Sequence, residues 1–118
     1  MSTLSASADK WCDLIAVSEL ETGDVTPAQR DGHCYAIYDT PRGVTVSDAL
    51  CTHAGANLCD GYFDGGHIEC PLHQGLFDAT TGEAKAAPVH RALKMYECRL
   101  HEGMVQIRHA DKLTKMAR

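Results

Sequence analysis

The chain has 118 residues, enough for one domain with a modest core but too few for a catalytic domain beside it. Its formal net charge of −5 argues against a nucleic-acid or anionic-membrane binder, because phosphate groups would repel most of such a surface. No apolar run approaches membrane-spanning length, and the N-terminus lacks the basic start and apolar stretch of a secretory signal. We therefore expect a single cytoplasmic domain, residues 1–118, that binds neither nucleic acid nor membrane.

Short segments of apolar or alternating character, separated by turn residues, occur along the whole chain. The predicted strands are residues 11–17, 24–28, 33–39, 44–47, 67–69, 76–79, 83–85, 93–100 and 104–108. Residues 1–10 are predicted to be frayed, and residues 110–118 to form a short helix or a loose tail. Strands at this spacing predict an all-β domain.

Six cysteines are present, and their irregular spacing without a secretory signal predicts reduced thiols rather than a disulfide scaffold. Cys12, Cys34 and Cys98 stand in apolar, strand-like segments, so we expect them to be small core residues. Cys59 lies between two other cysteines in a loop, where a packed, a solvent-facing or a metal-binding thiol are all open alternatives. A packed thiol is the favoured one.

Two loops each carry one cysteine and one histidine. The first reads Cys51-Thr52-His53 and the second reads Cys70-Pro71-Leu72-His73. Glycine and proline mark both as tight loops, so the four side chains can converge on one inorganic centre. Two cysteines and two histidines suit a tetrahedral zinc ion or a two-iron, two-sulfur cluster. Zinc sites usually pair like ligands on one short segment, whereas each ligand type here is divided between two loops, so a zinc-stabilised interaction module is the less favoured alternative.

These loops, with sixteen residues between His53 and Cys70 and with Gly75 and Phe77-Asp78 after the second loop, resemble those of the Rieske proteins. A chain of this length resembles a Rieske-type ferredoxin. The resemblance implies a Rieske fold of stacked antiparallel sheets with a small cluster-binding subdomain. It also implies one [2Fe-2S] cluster per chain, with Cys51 and Cys70 on the buried iron and His53 and His73 on the outer iron. The stretch Ala86-Ala87-Pro88 resembles the proline-containing loop that shields the cluster in this family.

Departures from the family pattern indicate which group of Rieske proteins the chain resembles. Respiratory and photosynthetic Rieske proteins have a disulfide-bonded cysteine in each loop, where this chain has Ala56 and Leu72. They also have a serine and a tyrosine whose hydroxyls bond the cluster and ligand sulfurs, where this chain has Gly75 and Phe77. Fewer donors to sulfur imply a low reduction potential. The chain therefore resembles the ferredoxin of a bacterial aromatic-ring-hydroxylating oxygenase system.

By this resemblance the protein is a monomeric electron carrier and not an enzyme. It would pass single electrons from an NAD(P)H-dependent flavin reductase to a terminal Rieske non-haem iron oxygenase in aromatic hydrocarbon catabolism. The alternative is the Rieske-like small subunit of a nitrite reductase, a group in which ligands are often lost. The presence of all four ligands favours a working cluster.

Charged and titratable residues outside the ligand set are by default solvated surface groups. Carboxylates near the two loops nevertheless favour an acidic docking face around the histidine-bearing tip, and they are Asp48, Asp60, Asp64, Glu69 and Asp78. Surface or strand-edge positions are expected for the other histidines, which are His33, His67, His90, His101 and His109.

Overall fold

The fold is seen in a computed structural model that describes residues 11–52, 55–72, 75–87 and 91–108. These residues form ten strands and two short 3-10 helices, with no α-helix among them. The predicted all-β class is confirmed. The predicted frayed N-terminus and the predicted C-terminal helix or tail lie outside the described residues. Within those residues, neither helix is long and apolar enough to cross a membrane.

The strands follow one another through short turns. In chain order they are β1 Trp11–Ala16, β2 Val25–Arg30, β3 His33–Thr40, β4 Gly43–Asp48, β5 Tyr62–Phe63, β6 His67–Glu69, β7 Leu76–Asp78, β8 Ala84–Ala86, β9 Met95–His101 and β10 Met104–Arg108. The 3-10 helices are Val17–Glu19 and Leu58–Asp60. All strand pairs are antiparallel, in a six-stranded sheet of order β1-β10-β9-β4-β3-β2 and a four-stranded sheet of order β5-β6-β7-β8.

Most strand bounds agree with the prediction to within two residues, because alternation and turn residues are local signals. The strand predicted to begin at Leu93 begins at Met95, since the Leu93 N–H donates to the carbonyl oxygen of Gly82 at 2.8 Å and not to a neighbouring strand. Ala86, predicted to be irregular, pairs with Leu76 and ends β8. Pro88 of the predicted shielding loop lies outside the described residues.

Strand β3 is buried on both faces and separates two apolar clusters. Because side chains alternate along a strand, Tyr35 and Ile37 lie on one face, and Ala36 and Tyr38 on the other. The first face packs within the large sheet against buried residues of β4 and β10, namely Val46, Val105 and Ile107. The other face packs against buried residues of the small sheet, namely Phe63, Ile68 and Phe77.

The cysteines are all free thiols, as predicted. Cys34 and Cys59 pack against the cluster shared by the two sheets, and Cys98 packs against the other cluster, with its Sγ 3.2 Å from the carbonyl oxygen of Val44. Cys12 is also half-buried, and its predicted core position stays a prediction. It lies on β1, which pairs among the described residues with β10 alone.

Candidate metal centre

Cys51 and Cys70 meet at the junction of the two sheets. Cys51 follows β4 of the large sheet, and Cys70 follows β6 of the small sheet. Their exposed fractions are 3% and 1%, both belong to the cluster shared by the sheets, and they are close enough for Cys51 to raise the pKa of Cys70. Two buried thiols delivered by separate loops are an arrangement suited to binding one metal centre.

The two cysteine loops are closed by equivalent hydrogen bonds. The N–H of Cys51 donates to the carbonyl oxygen of Ala56 at 2.8 Å, and the N–H of Cys70 donates to that of Gly75 at 2.8 Å. Each bond joins a cysteine to the residue five positions later. In the first loop Gly55 has φ +72°, a conformation that favours glycine, and its N–H donates to the Cys51 carbonyl at 2.9 Å. The two cysteine loops are therefore closed by the same backbone hydrogen bond over the same number of residues.

His53 and His73 each fall in sequence inside one of these closed loops. Both lie outside the described residues, so their role as ligands stays a prediction. Among the residues that are described, no group of three or more His, Cys, Asp or Glu side chains is placed to hold a metal ion. The described half of the centre is therefore the cysteine pair.

The environment of Cys70 fits a metal thiolate. Burial raises the pKa of its thiol, a hydrogen bond from the Leu72 N–H to the sulfur lowers it, and the neighbouring Cys51 raises it again. A buried thiol of raised pKa is a poor free nucleophile, because its thiolate has lost hydration. A bound metal cation compensates for that loss, and the N–H donor supports the remaining negative charge on sulfur. The residues present therefore fit an iron–sulfur centre.

Gly61 lets the segment that follows the first loop come close to the segment that carries Cys70. It follows the 3-10 helix Leu58–Asp60, and a Cβ atom there would lie 2.0 Å from the carbonyl oxygen of Glu69 and 3.2 Å from Cδ of Pro71. The helix itself is capped by Asn57, whose side chain accepts the Cys59 N–H at 2.8 Å. Asn57 is thus an ordinary turn residue, as its type predicts. Gly61, in contrast, must be a glycine because a side chain there would clash with the segment that carries Cys70.

Thr52 ties the first loop to the segment that precedes β9. Its hydroxyl donates to the carbonyl oxygen of Arg91 at 2.8 Å across 39 residues of sequence. The bond holds the chain just after residues 88–90 against the loop that carries Cys51. Sequence reasoning missed this residue, because a threonine beside a ligand carries no local signal of a distant backbone partner.

Exposed apolar side chains stand beside both cysteines. Leu50, which precedes Cys51, is 54% exposed, and Leu72, two residues after Cys70, is 50% exposed. Tyr62 on edge strand β5 is 66% exposed. Apolar side chains left in water can mark an interaction site, and Leu50 and Leu72 are each within two residues of a cysteine. Sequence reasoning missed these residues as well, since apolar character by itself predicts burial.

Two of the carboxylates expected near the tip lie away from it. Asp78 pairs with His67 at the opposite end of β6 and β7 from Cys70, and Asp64 lies in the turn that leads to that end. Asp64 Oδ1 accepts the N–H groups of Gly66 and His67 at 2.9 and 2.7 Å, and these bonds lower the pKa of Asp64. These two carboxylates therefore do not form part of an acidic face at the cysteine loops.

Asp48 takes part in a polar network on the large sheet. One of its oxygens accepts the Tyr96 hydroxyl at 2.6 Å and lies 2.6 Å from His33 Nε2. The network links β3, β4 and β9 immediately before the first loop. His33 and His101 are exposed and His67 is half-buried at the start of β6, so the predicted surface or strand-edge positions are confirmed for these three. His90 and His109 lie outside the described residues.

Comparisons with known proteins agree with the geometry. A family model described as Rieske [2Fe-2S] domain matches residues 10–97. The ferredoxin component of the naphthalene 1,2-dioxygenase system of Pseudomonas putida is 41% identical over 98 residues, covering 83% of this chain and 94% of the relative. The solved structure of a Sphingomonas yanoikuyae B1 ferredoxin is 38% identical with a TM-score of 0.78, covering 83% of this chain and 97% of that one. A ferredoxin solved in a complex of reduced oxygenase and oxidized ferredoxin in carbazole 1,9a-dioxygenase is 31% identical with a TM-score of 0.76, covering 83% and 92% of the two chains.

Proposed function

Because the chain belongs to the Rieske [2Fe-2S] family, we propose that it is the electron-carrying ferredoxin component of an aromatic-ring dioxygenase system. The structural observation that supports this function is the pair Cys51 and Cys70, both buried in one apolar cluster and held in two equivalent loops. The relatives are carriers within such systems and not their catalytic components, so the chain is not itself an enzyme.

We assign the cluster ligands as Cys51 and Cys70 on the buried iron and His53 and His73 on the outer iron. The burial of both cysteines supports the first half of this assignment, and the presence of one histidine inside each closed loop supports the second. When bound, a [2Fe-2S] cluster accepts and releases one electron at a time.

The chain's own residues shield and support the cysteines. The apolar cluster that contains both cysteines, with Phe77 and Leu58 fully buried in it, excludes water from the inner side. The Leu72 N–H supports negative charge on the Cys70 sulfur. A protein partner must therefore approach from the loop side, because the other side of the cysteine pair is packed into the domain.

We further propose that the partners dock on an apolar contact surface formed by Leu50 and Leu72, which flank the two cysteines. Both side chains are about half exposed, and their burial against a partner would be favourable. The similar ferredoxin solved with its oxygenase supports an oxygenase as one partner. An NAD(P)H-dependent flavin reductase as the other partner, a monomeric state and a cytoplasmic location stay predictions.

The two alternatives are less well supported. The 41% identity to a dioxygenase ferredoxin component favours that role over the small subunit of a nitrite reductase. Membership of the Rieske [2Fe-2S] family favours an iron–sulfur cluster over a zinc ion at this site.

Reconstitution tests the proposed function. The purified protein should contain iron and acid-labile sulfide in equal amounts, and naphthalene oxidation by a purified ferredoxin-dependent reductase and oxygenase should depend on adding it. A His73→Ala variant is the matched control, because it should keep the fold and lose the transfer. A protein that contains zinc, or an iron–sulfur protein that cannot be reduced by any flavin reductase of this class, would contradict the proposal.

A further inference from the structure

A small groove lies on the large sheet beside Leu50, one of the two leucines of the proposed contact surface. Its volume is about 150 Å³, and it is lined by Gly32, His33, Cys34, Asp48 and Leu50. A cavity of about that volume can hold a group the size of a benzene ring. The groove is therefore the right size for the end of one partner side chain, not for a whole peptide segment.

Asp48 gives this groove a carboxylate with one oxygen still available. Its Oδ1 accepts the Tyr96 hydroxyl at 2.6 Å and lies 2.6 Å from His33 Nε2. Among the described residues, the side-chain hydrogen bonds of Asp48 all fall on Oδ1, and no buried side-chain oxygen lacks a partner. Oδ2 is therefore open to solvent, in a side chain that is 28% exposed.

The carboxylate is held in place from several sides. Besides the two contacts of Oδ1, the N–H of Asp48 donates to the carbonyl oxygen of Lys94 at 3.0 Å. The rings that flank the carboxylate are themselves packed, since Tyr35 lies 4.7 Å from His33 and 5.1 Å from Tyr96 between ring centroids. A charged group that is already fixed loses little further freedom when it forms an ion pair, whereas a flexible surface carboxylate loses more.

Docking on Leu50 creates a demand for positive charge at Asp48. Because the two residues line one groove, a partner that covers Leu50 also covers Oδ2 of Asp48. Burial of a carboxylate without a compensating charge is costly. Within the part of the chain that the structure describes, no lysine or arginine forms an ion pair with Asp48, and His33 stands at the other oxygen. The compensating cation must therefore come from the partner.

We propose that the oxygenase places one lysine or arginine side chain in this groove, with its charge paired to Asp48 Oδ2 and its aliphatic part packed on Leu50. The inference rests on the proposed function, because it states how the oxygenase recognises the surface beside the first cysteine loop. Lysine and arginine combine an apolar stem with a charged end, which matches a leucine beside a carboxylate. The ion pair fixes the orientation in which the contact surface meets the oxygenase.

Asp48→Asn tests the role of the charge, because the amide keeps an oxygen that can accept the Tyr96 hydroxyl. The assay uses the oxygenase that the wild type supplies with electrons in the reconstitution, and it measures turnover at varied ferredoxin concentration and salt. We expect a KM about tenfold higher with a weaker salt dependence, and an unchanged kcat, visible spectrum and iron content. Failure of the wild type to support turnover would count against the proposed function, whereas a wild-type KM in Asp48→Asn would overturn the groove.

Two matched variants separate the groove from the overall charge of the protein. Asp31→Asn removes an 89% exposed carboxylate beside the groove that does not line it, and Asp64→Asn removes one at the far end of the small sheet. Both change the net charge by the same amount as Asp48→Asn, and we expect each to alter KM by less than about twofold. An equal rise of KM in all three variants would show a diffuse electrostatic effect and overturn the proposal.

Carboxyl labelling of the unsubstituted protein gives a test that needs no variant. The cluster-loaded protein is treated with a carbodiimide and glycine ethyl ester, alone and with the oxygenase, and the labelled peptides are quantified by mass spectrometry. We expect the oxygenase to reduce labelling of Asp48 severalfold and to leave labelling of Asp64 unchanged. Labelling of Asp48 that the oxygenase does not reduce would overturn the proposal, even if Asp48→Asn fails to fold.

Discussion

Gly61 approaches Glu69 so closely that a Cβ atom at position 61 would lie 2.0 Å from the Glu69 carbonyl oxygen. The obstacle is backbone and cannot rotate away, so Gly61→Ala must push the segment after the 3-10 helix Leu58–Asp60 away from the strand that leads to Cys70. We expect the free energy of unfolding to fall by about 1–3 kcal/mol, the usual cost of overpacking, together with a lower iron content. Thermal or denaturant unfolding and iron analysis of the purified variant measure both effects.

Gly66→Ala is the matched control for that substitution. Its nearest neighbour is Asp64 Oδ1 at 3.9 Å, an ordinary contact at the tip of a turn in the same small sheet. We expect a change within about 0.5 kcal/mol. Equal losses of stability in the two variants would show that the close approach at Gly61 is unimportant.

Local signals account for what the sequence could predict. The strand β3 follows from its alternation and from the turn at Pro41-Arg42-Gly43, and Cys51 and Cys70 follow from their motif. These features depend on neighbours in sequence. The order of strands in the two sheets does not, because β1 pairs with β10 at the other end of the chain.

The features that escaped prediction depend on tertiary contacts. The requirement for Gly61 arises from a segment eight residues away, and the role of Thr52 arises from Arg91, 39 residues away. The exposure of Leu50 and Leu72 depends on how the fold places the two cysteine loops, which neighbours in sequence do not determine. The acidic residue Asp78 was expected near the cysteines from its position in sequence, yet β7 carries it to the far end of the small sheet.

Replacement of either ligand histidine should change the centre itself. His53→Cys or His73→Cys should shift the electron paramagnetic resonance and visible spectra toward those of an all-cysteine cluster, or abolish assembly, because the ligand to one iron is altered. His101→Cys is the control, since His101 is an exposed residue at the end of β9. Wild-type spectra and iron content in both His53→Cys and His73→Cys would remove these residues from the ligand set.

Leu72→Ala should weaken docking to the oxygenase. Loss of a half-exposed leucine from the contact surface removes about 1 kcal/mol of apolar burial, which corresponds to a KM for the ferredoxin about fivefold higher. The control is Leu100→Ala, because Leu100 is 53% exposed, as Leu72 is at 50%, but lies on β9. Steady-state turnover at varied ferredoxin concentration measures the effect, and an equal KM for the two variants would refute the docking surface.

Burial of Cys59 should make the fold sensitive to alkali. Its pKa is raised from 9.0 to about 11 in the folded protein, so the unfolded chain loses this proton first as pH rises. The stabilising effect is complete below pH 9 and is lost between about pH 9 and 11. In Cys59→Ala this loss of stability between about pH 9 and 11 should be absent. The difference from the wild type should be at most about 2 kcal/mol in the free energy of unfolding, and the thermal midpoint measured against pH follows it. Cys12→Ala removes a thiol outside both clusters, and its profile should follow that of the wild type.

The reduction potential should lie near the low end of the Rieske range, because neither Gly75 nor Phe77 has a hydroxyl to donate to sulfur. Rieske centres span about −150 to +300 mV, and we expect a value near the lower limit. An electron at such a potential passes readily to an oxygenase of similar or higher potential, whereas a high-potential carrier would retain it. A wild-type potential well above zero, measured by direct electrochemistry, would refute this placement.

The cause can be tested apart from the value. Phe77 is fully buried in the cluster that contains both cysteines, so a hydroxyl added there enters a dry site close to the ligands. Gly75→Ser with Phe77→Tyr should raise the potential. Each charge-assisted hydrogen bond is worth about 1.5–3 kcal/mol, but only its difference between oxidation states moves the potential. Phe63→Tyr places the same hydroxyl in the same cluster on β5 and should leave the potential unchanged. An unaltered potential in the double variant, with an intact spectrum, would mean that the missing donors are not what lowers it.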